Sequence, residues 1–280
     1  MSESRASMKE IKSVREIQLL ELEILKQFKQ FCEKNQIKYY LLAGTLLGAV
    51  RHQGFIPWDD DIDVAVLRED YDKLLRLLKK DRSLGSKKFY VHIPGDKGYR
   101  WPFIKIVNKN TVAYEEDHYK TEIWIDVFPM DFLANTKEER QKIYKKIVKY
   151  NYFAHLASYD WNFCRFICPK KLALQYVRWK LLHFIGAEFF VKRISEGKFF
   201  GKQGKDYVGC VVYPIDPEKD KYSIEAFKKS IEVKFEDETF PIPSGFDEML
   251  TNFYGDYMTP PPEKDRNGHK IRAYYISDRT

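Results

Sequence analysis

The sequence predicts an α+β fold: a mixed sheet core with flanking helices and a helical elaboration. Two observations carry that reading. Short runs rich in β-branched and aromatic residues, bounded by turn signals, concentrate before residue 130, and long helical stretches follow. No apolar run reaches the roughly 18 residues needed to cross a bilayer.

Taken in order, Ser13 is a cap for a helix whose apolar stripe is Ile17, Leu20, Ile24, Phe28 and Phe31, ending at Asn35. Ile37–Leu42 is a short strand, followed after Gly44 by a helical turn through Leu46, Leu47 and Val50. Gly54 and Pro57 mark a loop, Ile62–Leu67 a buried strand, and Tyr71–Lys80 a helix. Phe89–Ile93, Phe103–Val107, Thr111–Tyr114 and Ile123–Phe128 are separate strands. Thr136 with Glu139 forms a capping box for a helix reaching Tyr159. A second long helix is expected over Leu172–Ser195, then short strands at Val208–Tyr213 and Ile231–Phe235, a helix near Asp247–Tyr254 and a proline breaker at 260–262. We expect one catalytic domain over 1–280, with its core at about 35–134, the elaboration at about 135–205 and a C-terminal motif region at about 206–272.

The polar N-terminal stretch MSESRASMKEIKSVRE lacks a signal-peptide core, so a cytoplasmic location is expected. Cys32, Cys164, Cys168 and Cys210 lack C-x-x-C spacing and read as reduced thiols. Charge is uneven. Of the net +7, residues 161–205 contribute +8, ten Lys/Arg against Glu188 and Glu196, interleaved with rings such as Trp161, Trp179, Phe184 and Phe189. That pattern suits an anionic surface, with peripheral attachment to the inner face of a membrane as the expectation and no nucleic acid as partner. A surface helix pair with inward rings and merely solvated lysines explains it equally well.

The chemistry concentrates in 58-WDDDIDVAV-66. Along a strand, Asp61 and Asp63 share one face, about 7 Å apart, while Ile62 and Val64 turn into the core. Two such carboxylates suit Mg²⁺ (or Mn²⁺), which takes a few carboxylates plus waters and phosphate oxygens. Asp126 in 123-IWIDVFPMD-131 is the best third acid, flanked by Ile125 and Val127. Asp131 is a weaker fourth. Asp59 is placed to serve a second ion or the hydration shell, and Asp60 faces the other way with no expected role. Gly44 and Thr45 open a helical turn whose amides and hydroxyl suit a phosphate, with Arg51 and His52 following. An EF-hand fails at its sixth position, Val64, and its twelfth, Asp70. A glycosyltransferase D-x-D normally follows a longer nucleotide-binding half than this chain offers.

Strand, Gly-Thr, short helix, D-h-D strand and h-D-h strand resemble the nucleotidyltransferase superfamily core. The segment LLAGTLLGAVRHQGFIPWDDDIDVAVLREDYDKL resembles the LicD family of bacterial phosphocholine transferases, related to fukutin-type ribitol-phosphate transferases. Further matches are 102-PFIKIVNKNT-111, 125-IDVFPMD-131, 240-FPIPSGFDEMLTNFYGDYM-258 and 260-PPPEKDRNGHK-270. The resemblance implies a nucleotidyltransferase-like fold, a divalent cation, a donor such as CDP-choline (or CDP-ribitol or CDP-glycerol) and an acceptor hydroxyl on a cell-surface glycan, lipopolysaccharide or teichoic acid precursor. It implies donor contacts from Gly44, Thr45, Arg51, His52 and Lys105, with Arg266 and His269 as further candidates although the tail KDRNGH departs from the family's usual spacing. A choline ammonium would need rings, for which Tyr99, Trp101, Tyr114, Trp124 and Trp58 are available.

Overall fold

Ser13 caps the first helix as its spacing predicts: its hydroxyl accepts from Glu16 N at 3.2 Å, and the chain leaves through Gln36 in a left-handed conformation. The fold is taken from a computed structural model that describes residues 8–115, 119–167, 172–197, 200, 203–266, 268 and 271–276. Cys168, His269 and the lysines at 170, 171, 198 and 202 lie outside the described residues.

The strands are β1 (Met8–Ile11), β2 (Tyr40–Leu41), β3 (Asp63–Leu67), β4 (Phe89–His92), β5 (Ile104–Tyr114), β6 (Lys120–Phe132), β7 (Tyr207–Gly209), β8 (Tyr222–Ser223), β9 (Ser230–Phe235), β10 (Glu238–Pro243) and β11 (Arg272–Ile276). The helices are α1 (Val14–Asn35), α2 (Ala43–His52), α3 (Arg68–Leu78), α4 (Lys137–Ser158), α5 (Trp161–Ile167), α6 (Leu172–Ile185), α7 (Ala187–Ser195) and α8 (Phe246–Tyr254). One mixed sheet runs β1-β11-β5-β6-β3-β2; β4 joins the edge of β5 away from β6, and β7 with β8 extends β6. Only the β3–β6 pair is parallel among the described strands. β9 and β10 form a separate hairpin. Its turn residue Glu236 accepts from Phe55 N at 3.1 Å and from Arg15, so it braces the loop that carries the acids.

The long central strands are buried on both faces, as strands covered from two sides must be. Ile123, Ile125, Val127, Ile104 and Ile106 fill one face, and Trp124, Phe128 and Val107 are buried on the other, beside Lys105. α1 packs Ile24, Leu25 and Phe28 onto β5 and β6, and α3 adds Tyr71, Leu74 and Leu78. The main core reaches into the elaboration through Ile143, Ile147 and Ile194. The outer part of the elaboration has a core of its own, built around Leu156, Leu182, Phe190 and Val191.

Several boundaries differ from the sequence reading. The runs at Phe103–Val107 and Thr111–Tyr114 are one strand, β5, with a register shift between Asn108 and Ala113 that accommodates the turn-like NKN. The expected helix over Leu172–Ser195 breaks at Gly186, whose φ of +85° suits glycine and strains other residues. The Val208–Tyr213 strand keeps only its first residues. α5, β1, β8, β10 and β11 have no counterpart in the sequence reading. Three of the four residues of β1 are exposed, so this edge strand carries no apolar alternation to read.

Candidate active site

Three adjacent strands bring three charged side chains into a row. Asp63 on β3 stands opposite Asp126 on β6, and Lys105 on β5 stands opposite Asp126 from the other side. Opposed residues face the same side of a sheet, so the row is Lys105, Asp126, Asp63. His92 on β4 continues it beyond Lys105.

The Lys105 end is closed and aromatic. Its buried ammonium lies 3.3 Å from Asp126 Oδ1 and 3.8 Å from Glu115 Oε1, with Trp124 at 3.8 Å and Trp101 at 5.4 Å from its nitrogen to the ring centre. Trp124 Nε1 donates to Asp126 Oδ2 at 3.1 Å. Buried Arg100 donates to Glu115 at 2.7 Å and lies over the Tyr119 and Trp101 rings. Lys105 is therefore no outward strand lysine.

The Asp63 end is open. A cleft of about 440 Å³ is lined by Ala43 and Gly44 at the start of α2, by Asp59, Asp61 and Asp63, by Arg51 and Trp58, and by Tyr254 and the segment to Pro261. A smaller apolar pocket of about 80 Å³ between Phe128, Tyr213, Met249 and Phe253 shares Ala43, Asp63 and Tyr254 with it. α2 starts without a side-chain cap, and its first residue, Ala43, has φ +48°. A helix start whose own N-cap residue, Leu42, supplies no side-chain acceptor suits an anion from elsewhere. At Gly44 a Cβ would come within 2.6 Å of Asp59 Oδ2, so glycine is what lets the Asp59 carboxylate lie against the helix start. Thr45 is buried, and its hydroxyl accepts from Asp63 N at 2.9 Å, fixing where β3 begins.

The acids hold one another's protons. Burial lifts the Asp63 carboxyl well above the usual range, and Asp61, Asp126 and Asp59 add to the effect while Lys105 opposes it. Burial likewise raises Asp126 to about 6, with Lys105 opposing and Asp61 adding. Behind them, Glu21 of α1 is fully buried with neither carboxylate oxygen hydrogen-bonded. Burial and then Asp61, Asp60 and Asp59 push its carboxyl up. Gln18, one turn earlier, donates to Asp59 O at 2.8 Å and to Ile56 O at 3.3 Å, pinning the loop.

These residues fit a divalent cation. Hard carboxylate oxygens from Asp59, Asp61 and Asp63 line one cleft that Gly44 keeps open. Among the described residues, no three His, Cys, Asp or Glu side chains converge closely enough to hold an ion alone. Mg²⁺ bound through two carboxylates, waters and a substrate phosphate does not require three.

Other expectations are redistributed. Asp60, expected to face away from the site, is buried, and the backbone at Gly268 comes close to its carboxylate and to Trp58 O. Asp131, five residues from Asp126 and so on the opposite face of β6, is held by Arg68 at 2.6 and 2.7 Å and stays out of the site. Arg51 lines the cleft but already donates to Tyr257 O at 2.7 Å. His52 packs edge-on to Trp58, and burial followed by Arg51 lowers its pKa. Arg266 lies 4.8 Å from the centre of the Trp58 ring at the cleft edge. Tyr114 pairs with Tyr274 instead of joining the aromatic wall. The sequence reading missed Glu21, Gln18, Arg100 and Glu115. Glu21 carried a signal, because its spacing from Ile17 and Ile24 places a carboxylate on the apolar stripe of α1.

Comparison with known proteins agrees with this geometry. The chain is 30% identical over 268 residues, 94% of its own length and 98% of the relative's, to the lipopolysaccharide cholinephosphotransferase LicD of Haemophilus influenzae. The chain belongs to the LicD family. The family model described as LicD/FKTN/FKRP, nucleotidyltransferase domain, matches residues 36–171, which include β3, β5 and β6. A more distant LicD-family likeness is to the human ribitol 5-phosphate transferase FKRP, 30% identical over 89 residues, 31% of this chain and 16% of that protein. The fold is thus nucleotidyltransferase-like, and the chain is a phosphotransferase.

Proposed function

We propose that the chain transfers phosphocholine from CDP-choline to a sugar hydroxyl of a cell-surface glycan, lipopolysaccharide or teichoic acid precursor, releasing CMP. The observation that supports the cargo is the near full-length likeness to a cholinephosphotransferase. The observation that supports the chemistry is the acid-lined cleft at the start of α2.

In this reading Asp61 and Asp63 hold Mg²⁺ or Mn²⁺, with Asp59 beside them, and the bound ion supplies Lewis-acid stabilisation of phosphate charge. The amides at Gly44 and the guanidinium of Arg51 orient the diphosphate. Thr45 acts from beneath by fixing the Asp63 backbone. Asp126, raised to about 6, is the proton acceptor for the attacking hydroxyl. The hydroxyl oxygen bonds to the distal phosphorus, its proton passes to Asp126, and the bond from that phosphorus to the bridging oxygen breaks to leave CMP. Lys105 stabilises the Asp126 carboxylate and offsets negative charge on the leaving group. Three tryptophan rings already carry the chain's own cations, Lys105 at Trp101 and Trp124 and Arg266 at Trp58. Because Trp58 lines the open cleft, exchange of Arg266 for the choline ammonium there is the simpler route.

Product analysis tests the reading: CMP release from CDP-choline, CDP-ribitol and CDP-glycerol, and pyrophosphate release from CTP, each with Mg²⁺ and a glycan acceptor. CMP from CDP-choline supports it, whereas pyrophosphate from CTP would make the chain a nucleotidyltransferase. Asp61→Asn and Asp63→Asn are expected to lose on the order of 10²–10³ in kcat while still melting cooperatively. Full turnover by either variant would remove the metal assignment.

A further inference from the structure

α6 is turned inside out for a surface helix. Its inward side is held by buried Leu182, by Trp179 Nε1 donating to Tyr159 O at 3.0 Å, and by a 3.0 Å contact from His183 Nδ1 to Ala157 O. The remaining face is apolar and open. Leu174, Val177, Leu181, Phe184 and Ile185 recur in steps of three and four, which puts them on one side. They are 65%, 54%, 60%, 90% and 44% exposed. Lys180 and Arg178 flank this stripe, one on each side by helical geometry, and Arg178 lies over the ring of Tyr152, itself half-exposed on α4. An apolar stripe of five large side chains with basic flanks costs solubility unless something covers it.

We propose that this face of α6 lies in the headgroup layer of an anionic lipid bilayer, with Phe184 and Leu181 inserted and Lys180 and Arg178 at the phosphates. Charge decides the occupant. The sequence window that contains α6, 161–205, carries +8. A second copy of the chain would set the same basic flanks against Arg178 and Lys180, while an anionic bilayer offers both the apolar layer and the opposite charge. No helix among the described residues is long and apolar enough to cross a membrane, so the attachment is in the interface plane. The inference stands independently of the reaction proposed above.

Flotation of the full chain with vesicles tests it, using phosphatidylcholine alone and phosphatidylcholine mixed with phosphatidylglycerol, at low and high salt. The wild type is expected to float with the anionic vesicles at low salt and to be released at high salt. Phe184→Glu and Leu181→Glu, at solvent-facing positions, are expected to lower the bound fraction about tenfold or more, with melting and turnover of soluble substrates unchanged. Lys180→Glu should weaken binding to anionic vesicles only. Wild-type protein that stays unbound on anionic vesicles at low salt overturns the proposal. So does undiminished binding by Phe184→Glu, or a concentration-dependent dimer that Phe184→Glu dissolves without any vesicle binding.

Discussion

Lys105 is where most of the charge in the site meets. It serves Asp126 and Glu115 together, in a pocket walled by two tryptophans. Lys105→Met keeps the shape and leaves the buried Asp126 carboxylate without its cation, while Glu115 keeps Arg100. Breaking such a buried pair costs on the order of 3–5 kcal/mol, or roughly 10 °C in a chain of this size. Melting curves are expected to show that loss at pH 7 and a smaller one at pH 5, where Asp126 takes up a proton. The alternation of Ile125, Asp126 and Val127 makes legible in the sequence the face that Asp126 shares with Asp63. The sequence could not decide Lys105, because β5 is covered on both faces and a lysine there has no open side to mark it. Asp131 misled for a related reason: its residue type matched the cluster, but the odd spacing sent it to Arg68 on the opposite face.

The start of α2 is the element that shapes the cleft. Gly44→Ala would improve helix propensity, yet its Cβ must displace Asp59 Oδ2 from 2.6 Å. The expected outcome is a kcat/KM loss of about 10–100-fold with a melting temperature within a few degrees of wild type. Equal activity in the two proteins would show that Asp59 has no part in the cleft. At this scale the sequence was legible wherever a cap or a period-two pattern was strong. Ser13 and Thr136 both cap as expected, and β3 begins one residue from its predicted start. Boundaries failed where backbone conformation decides. Gly186 breaks a helix that its flanking residues would continue, and the bulge in β5 absorbs a turn signal without ending the strand.

For the whole molecule, the acid set makes stability depend on pH in an unusual direction. Asp126 sits near 3.8 when unfolded and about 6 when folded, so the folded state holds its proton more tightly. Such a group stabilises most below the unfolded value, and that contribution is lost as pH rises from about 4 to 6. Asp63 and Glu21, raised well above the carboxylate range, extend the decline to higher pH. Metal-free protein is therefore expected to melt at a lower temperature at pH 7 than at pH 5. Saturating Mg²⁺ should restore about 2–3 kcal/mol at pH 7 and less at pH 5. A melting temperature that rises steadily from pH 5 to 7 without metal would contradict this account. The pairing of β1 with β11 sets the molecule's response to force. Met8 lies opposite Ile276, so tension applied at the two ends peels this antiparallel pair one hydrogen bond at a time instead of shearing it. The next ladder to open is β11 on β5, and with it goes the anchor of the segment whose Gly268 lies close against Trp58 and Asp60. Under load the acid loop would lose its cover while the β5-β6-β3 centre still held, making the reaction site the first casualty of stretching.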